Sequence, residues 1–349
     1  MIKRDKKINL NGLVLAGFLL FIPGISGSQE SSFVGEWLLW VESDNRIGKP
    51  AYGSLVFEDV EGSLSVYIDG GSVDLLELNG DQIRFDFDWS DLPDTVHLSV
   101  LEGTLNGGVI EGVATENGED RGAWRATRIL QRDTSLLVPD PVDFTGIWSG
   151  PSILSKHAFN LTEAGKISDA SYDSTIDDPI LRCVSDGLIR MSHGPFGIEV
   201  VEREGRIIVL HEDLHEVRRI YMDGRGFSES IESADLAMGY SIGRWEGATL
   251  VVETRGLKRT IWDAGGMPTS SGAIVTEHWY LDDIGQLHVE FSLDDPVNYT
   301  RPVLMHTVRT KQPIDVDILE YSCDPHAFYR SLQLGGRLEE YWGRSTNRR

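Results

Sequence analysis

Glycine-bearing turn dipeptides recur along this chain at intervals of one short strand, and they constrain its fold more than any other feature. Asp69-Gly70-Gly71, Asn79-Gly80, Asn106-Gly107-Gly108, Glu204-Gly205, Asp223-Gly224 and Glu246-Gly247 supply the positive φ of tight hairpin turns. Between them lie runs of strand composition: Ser54 to Phe57, Leu64 to Ile68, Ile83 to Phe87, Val96 to Leu101 and Val109 to Ala114 in the first part. Ile198 to Glu202, Arg206 to His211, Glu216 to Met222, Leu250 to Thr254, Ile274 to Leu281, Leu287 to Leu293 and Leu304 to Thr310 continue the series. Such spacing argues against a parallel α/β sheet and predicts an all-β chain of barrels or sandwiches. Helical spacing is confined to the end, where Phe328, Leu332, Leu338 and Tyr341 fall within Pro325 to Trp342.

Two halves open alike. Phe33-Val34-Gly35-Glu36-Trp37 and Phe144-Thr145-Gly146-Ile147-Trp148 each place a Gly-x-Trp before a strand, where glycine turns the chain sharply and tryptophan plugs a closed end. This resembles the opening of lipocalin-like barrels, and the predicted architecture is two such antiparallel barrels in tandem with a short C-terminal helix. Pro139 and Pro141 interrupt the pattern between Asp133 and Asp143, a boundary signal. The expected order is a leader at 1–28, a first barrel at 29–132, a linker at 133–143, a second barrel at 144–324 and a helical tail at 325–349.

Lys3, Arg4, Lys6 and Lys7 precede an apolar run from Leu13 to Ile25 and the small residues Ser26-Gly27-Ser28, the layout of a secretory signal. The run is shorter than the roughly 20 residues that cross a bilayer, and no later stretch is long and apolar enough to do so. The chain is therefore expected to be exported, periplasmic or extracellular, with no transmembrane span in its mature part. A formal charge of −23 over 349 residues repels a phosphate backbone and argues against a nucleic-acid partner. Cys183 and Cys323 are the two cysteines; in an oxidising compartment they invite one disulfide, with two buried thiols as the alternative.

His211-Glu212-Asp213-Leu214-His215 reads H-E-x-x-H, which on a helix would hold zinc with Glu212 as general base. The flanking segments are strand-like and end at Asp223-Gly224, so a bend between two strands is expected here and no metal or cofactor is predicted. His278 and Glu290 depend on register: a five-residue loop between their strands sets them opposite each other, and a four-residue loop separates them. Opposed, they form an acid–base pair. Arg218 and Arg219 point to opposite faces, so one of them points inward, toward a carboxylate such as Glu253 or toward an anionic ligand. Asp177-Asp178 and Asp294-Asp295 lack the ligand spacing of a calcium loop.

From Phe144 to Cys323 the chain resembles a group of uncharacterised exported bacterial proteins. The resemblance is carried by Arg182-Cys183, Arg218-Arg219-Ile220-Tyr221, the run Gly243-Arg244-Trp245-Glu246-Gly247 leading into Thr249 to Thr254, Thr276-Glu277, Asp294-Asp295-Pro296 and Glu320-Tyr321. It implies no activity, and it is consistent with a bridge between Cys183 and Cys323. The expected function is an exported barrel that binds a small apolar or amphipathic molecule in its second half. His278 and Glu290 are then the acid–base candidates, and Arg219, Trp245, Glu253 and Tyr280 the contacts. The rival is a cofactor-free lyase, isomerase or hydrolase in the same cavity, and a zinc hydrolase at His211, Glu212 and His215 is the third reading.

Overall fold

The computed structural model describes residues 32–42, 50–89, 97–129, 142–151 and 159–346. The leader at 1–28 and Pro139 to Pro141 lie outside the described residues. Nine strands make the first sheet: β1 (Gly35–Val41), β2 (Ala51–Val60), β3 (Ser63–Ile68), β4 (Gly71–Val73), β5 (Leu75–Asn79), β6 (Gln82–Trp89), β7 (His97–Asn106), β8 (Val109–Glu116) and β9 (Glu119–Arg128). Their order is β4-β3-β2-β1-β9-β8-β7-β6-β5, so the two edge strands are consecutive in the chain and the sheet rolls into a nearly closed barrel. At the seam the Asp86 amide donates to the Asp74 carbonyl at 3.0 Å, and the Asp74 amide donates to Asp86 Oδ1 at 2.7 Å. The inward face is apolar, with Trp37, Phe57, Phe85, Leu101, Ile110 and Trp124 all buried in one cluster.

The second sheet takes β10 (Gly146–Trp148), β11 (Ile198–Arg203), β12 (Arg206–His211), β13 (Val217–Tyr221), β14 (Tyr240–Glu246) and β15 (Thr249–Arg255). A small ribbon of β16 (Thr260–Ile261) and β17 (Pro268–Thr269) follows, and β18 (Ile274–Leu281), β19 (Leu287–Asp294) and β20 (Val303–Arg309) complete the sheet. It closes where Trp148 bridges Lys311, the Ser149 amide donates to the Thr310 carbonyl at 2.9 Å, and the Gln312 amide donates to the Ile147 carbonyl at 2.8 Å. One seam departs from the antiparallel expectation. β13 and β14 run parallel and pair only Ile220 with Ser241 and Tyr221 with Ile242, because residues 222–239 carry the chain back to the end from which β13 started. Short helices α1 (Glu163–Ala170), α2 (Leu188–His193) and α3 (Glu229–Glu232) sit in the connections.

The repeated Gly-x-Trp has one structural meaning in both barrels. Trp37 Nε1 donates to the Phe33 carbonyl and Trp148 Nε1 to the Phe144 carbonyl, each at 2.9 Å. Arg128 lies 4.2 Å above the Trp37 ring and Lys311 5.5 Å above the Trp148 ring. Gly35 and Gly146 have φ of +135° and +119°. A Cβ on Gly35 would stand 2.5 Å from Arg128 Nη1, and one on Gly146 3.0 Å from Lys311 Cε. Glycine thus serves the backbone angle and the passage of the cation over the indole.

The barrels pack through Arg301, which forks onto Glu58 at 2.7 and 3.0 Å and lies 3.7 Å over the Tyr67 ring. Gly70 meets the Pro302 carbonyl so closely that a Cβ there would come within 2.4 Å of it. The C-terminal helical pattern divides at Gly335-Gly336 into α4 (Pro325–Leu334) and α5 (Leu338–Thr346), so two helices stand where one was expected. Phe328, Leu332 and Tyr341 bury against Ile176. Cys183 and Cys323 are joined, with Cα atoms 5.9 Å apart and 140 residues between them in sequence, which ties this helical tail to the segment before α2. Closing so long a loop stabilises by at most about 5 kcal/mol through the entropy of the unfolded chain. The Cys183→Ala, Cys323→Ala double variant is expected to unfold at lower denaturant concentration by up to that amount, and reductant is expected to shift only the parent protein.

Candidate functional site

Strand alternation decides what enters the second barrel. On β12, Ile207, Val209 and His211 share the inward face, and on β13 the inward pair is Arg218 and Ile220. On β18, Val275, Glu277 and Trp279 point in, and on β20 Met305, Thr307 and Arg309 do so. Arg218, 2% exposed, forks onto Glu277, 1% exposed. Its Nη1 donates to Glu277 Oε1 at 3.1 Å and its Nη2 to Glu277 Oε2; Nε donates to Ser241 Oγ and Nη2 also to Thr254 Oγ1, both at 3.0 Å. Every acceptor of that cation lies on a different strand from β13.

Beside this pair, His193, His211, Arg218, Glu277, Trp279 and Arg309 line a cavity with Ser192, Thr307 and apolar neighbours. Its volume is about 20 Å³, on a measure by which one water needs about 10–15 Å³. Arg309 donates to the backbone carbonyls of Ser149, Ser192 and Phe196 at 2.8, 2.8 and 3.0 Å. Burial pushes its guanidinium down to about 9. His211 is 4% exposed, and neither ring nitrogen closes a well-aligned hydrogen bond. Burial, aided by the Arg309 and Arg218 charges, pushes its imidazole down to about 3. His193 stands at the partly exposed rim; its Nδ1 meets the Ile189 carbonyl at 2.6 Å, and burial pushes it down to about 4.

The residues singled out in the sequence lie elsewhere. Five residues, Asp282 to Gln286, form the β18–β19 loop, so His278 does face Glu290, with Nδ1 4.0 Å from Oε2. Both are on the outer face, together with Tyr280. That face continues into His288 and His306, whose ring nitrogens meet at 2.9 Å. Tyr280 stacks on His288 at 5.0 Å, and Tyr52 of the first barrel approaches it edge-on at 6.3 Å. Arg219 is exposed and Arg218 is the inward member of the pair. Glu253 faces outward and accepts from Arg255 Nε at 2.7 Å. Trp245 points inward but stacks on Phe144 at 5.7 Å. None of these borders the cavity. His193, Glu277 and Arg309 were missed, although Glu277 and Arg309 betray themselves by sharing a strand face with apolar residues.

The H-E-x-x-H segment is a bend, as the flanking strands implied. β12 ends at His211, a single 3-10 turn covers Asp213–His215, and β13 follows. Leu214 and His215 both have positive φ, 48° and 55°. His211 faces the lumen, whereas His215 Nε2 accepts the Tyr321 amide at 3.0 Å. Among the described residues no group of three or more His, Cys, Asp or Glu side chains is arranged to hold a metal ion. Asp295 is occupied by Ser270 and Asn298.

Outside the lumen, Arg190 of α2 forks onto Asp178 at 2.9 and 3.2 Å, and its Nε lies 3.0 Å from Asp186. Burial pushes the Asp186 carboxyl up to about 7 against the pull of Arg190, and the Asp213 and Asp178 charges add to the rise.

No protein-family model matches the chain, and no curated protein matches it. Among solved structures it overlaps a protein of unknown function of the DUF3598 family from Nostoc punctiforme at 9% identity, over 80% of this chain and 96% of that one, with a TM-score of 0.25. A putative outer membrane protein from Bacteroides fragilis gives 8% identity, 82% and 99% coverage and a TM-score of 0.22. The immune modulator A of Aeromonas veronii gives 7%, 79%, 94% and 0.23. Overlaps this loose carry no argument about activity. Among the described residues no helix is long and apolar enough to cross a membrane.

Two measurements follow from the buried charges. Glu277→Gln leaves Arg218 buried without its counter-charge and is expected to cost about 3–5 kcal/mol, with Arg218→Met, Glu277→Leu together costing much less, in a denaturant double-mutant cycle. Asp186 has a folded pKa above its unfolded one, so the folded state binds more protons between about pH 4 and pH 7 and stability falls as pH rises through that window. Asp186→Asn removes this slope. Relative to the parent, the variant is expected to gain on the order of a few kcal/mol between pH 4 and pH 7 in chemical denaturation.

Proposed function

We propose that the protein is an exported binding protein whose second barrel receives the polar end of a small amphipathic molecule. The observation that carries this reading is the convergence of five ionisable side chains, His193, His211, Arg218, Glu277 and Arg309, on one small cavity, while the first barrel is filled by an apolar aromatic cluster. Ligand sites are concave and rely on a few polar groups that fix orientation. A cavity of about 20 Å³ takes only the end of such a molecule, so its apolar part lies at the rim beside Ser192 and His193.

Binding accounts for these side chains better than acid–base catalysis does. A general base works best with a pKa near the operating pH. His211 and His193 are pushed down to about 3 and about 4, and Glu277 is held by a bidentate Arg218. The basic leader, the small-residue cleavage site and the Cys183–Cys323 bridge support export. His278, Glu290, Tyr280, Arg219 and Glu253 belong in this reading to an outer polar face, separate from the cavity.

The test is extraction of small molecules from protein purified from its native host, followed by mass spectrometry. One organic compound is expected at near-stoichiometric amount in the parent and in Arg203→Ala, an exposed control, and at least ten-fold less in His211→Phe. Recovery of no compound from correctly folded protein, or full retention by His211→Phe, overturns the proposal.

A further inference from the structure

We infer that the cavity of the second barrel is a binding site for one small monovalent anion, of halide or carboxylate size. The inference deepens the reading above, resting on its placement of the ligand in the lumen but not on the ligand being organic. The charges around the cavity do not balance. Arg218 and Arg309 are cations, and Glu277 is the one carboxylate among the lining residues; it is committed to Arg218 through both oxygens. Arg309 has only backbone carbonyls as hydrogen-bond acceptors among the described residues. Carbonyl dipoles orient a guanidinium but leave its full charge uncompensated in a region shielded from solvent, and an isolated buried charge is costly unless paired.

His211 supplies the second, independent observation. It lines the cavity, is 4% exposed and closes no well-aligned hydrogen bond at either ring nitrogen. A neutral imidazole always carries one N–H donor. The backbone of Met191 is the protein group that bears on it, yet neither nitrogen closes a well-aligned bond there, so the space in which Arg309 needs a negative charge also offers this imidazole a better-placed acceptor. Thr307 borders the same space and can donate a hydroxyl proton. An anion there satisfies the cation and the imidazole at once, whereas a water satisfies only the imidazole. Charge and size set the class: one uncompensated guanidinium calls for a single negative charge, and a cavity with room for about one water suits a halide or the end of a carboxylate. With a formal charge of −23 on the whole chain, the long-range field repels anions, so uptake must come from these local groups.

The test uses the purified full chain at constant ionic strength, exchanging sodium gluconate, too large to enter, for sodium chloride or sodium formate. Melting temperature and the 35Cl line width are recorded, and a crystal soaked in bromide is examined for anomalous scattering. The expected result is a saturable rise in melting temperature with one equivalent of anion, and a bromide peak between Arg309 and His211. Affinity should fall at least ten-fold in His211→Phe and measurably in the isosteric Thr307→Val, which keeps the fold if His211→Phe does not. Competition between the two salts identifies the preferred source: formate displacing chloride marks a carboxylate site, and chloride resisting formate marks a halide site. No saturable shift with either salt, or water alone in the cavity after the bromide soak, overturns the inference whatever the native extract contains. Anion binding without any retained organic compound leaves it standing and removes the amphipathic ligand instead.

Discussion

Arg218 is the interaction on which the second barrel depends, because of where it acts. Most seams of that sheet are antiparallel ladders of five to eight residue pairs, but β13 and β14 share only two pairs, in parallel. Parallel pairing is somewhat weaker per residue, and two pairs cannot hold a barrel wall. From β13 the Arg218 side chain reaches Ser241 on β14, Thr254 on β15 and Glu277 on β18. Ser241 and Thr254 are themselves 2.8 Å apart. One guanidinium with a rigid fork of five donors therefore spans the weak seam and the two seams beyond it. A lysine, with a single ammonium, could not meet three strands in one plane.

This staple explains why the two barrels have different interiors despite a common floor. Both rest a tryptophan against a carbonyl four residues earlier and lay a cation across it. The first barrel's strands pair antiparallel throughout, so its lumen is free to be packed with aromatic rings. The second interrupts its hairpin succession to pass through α3, and the guanidinium that bridges the resulting gap requires Glu277 inside. Once one ion pair occupies the lumen, further polar groups face a less hostile interior, and His211, Thr307 and Arg309 join it along the same inward faces.

How much of this is legible in the sequence turns on parity. Turn dipeptides and alternation locate most of the long strands but not β9 or β14, and they leave the length of the β18–β19 loop, and with it the facing of His278 and Glu290, open between two registers. Which face looks inward is a separate question, answered by the company each residue keeps. Val275, Trp279 and Leu281 share a face with Glu277, while Thr276 and Tyr280 share one with His278. A carboxylate placed among apolar neighbours marks the lumen; an imidazole among polar neighbours marks the outside. The same comparison separates Arg218, which alternates with Ile220, from Arg219. His193 had no such signal, since it reaches the cavity from α2, a six-residue helix too short to leave a periodicity. The parallel seam was equally hidden, because nothing in local composition tells whether a connection returns the chain to its starting end.

The Arg190 cluster beneath α2 bears on how that rim is held. Arg190 lies on α2 between Ile189, whose carbonyl meets His193, and Met191, which is buried. The carbonyls of Ser192 and Phe196, at the end of α2 and just beyond it, accept from Arg309 inside the barrel. One helix is thus gripped from outside by Asp178 and Asp186 and from inside by Arg309. Neither grip is a surface ion pair exposed to salt screening; both work in a low-dielectric interior, where charge-assisted hydrogen bonds are strong and an unmatched charge is costly. The two grips differ in sign: carboxylates exceed cations around Arg190, and cations exceed carboxylates around the cavity. A short helix whose Leu188, Ile189 and Met191 enter an apolar core is held on its polar side between a carboxylate-rich shell and a cationic lumen, so the electrostatics that define the cavity also position its rim.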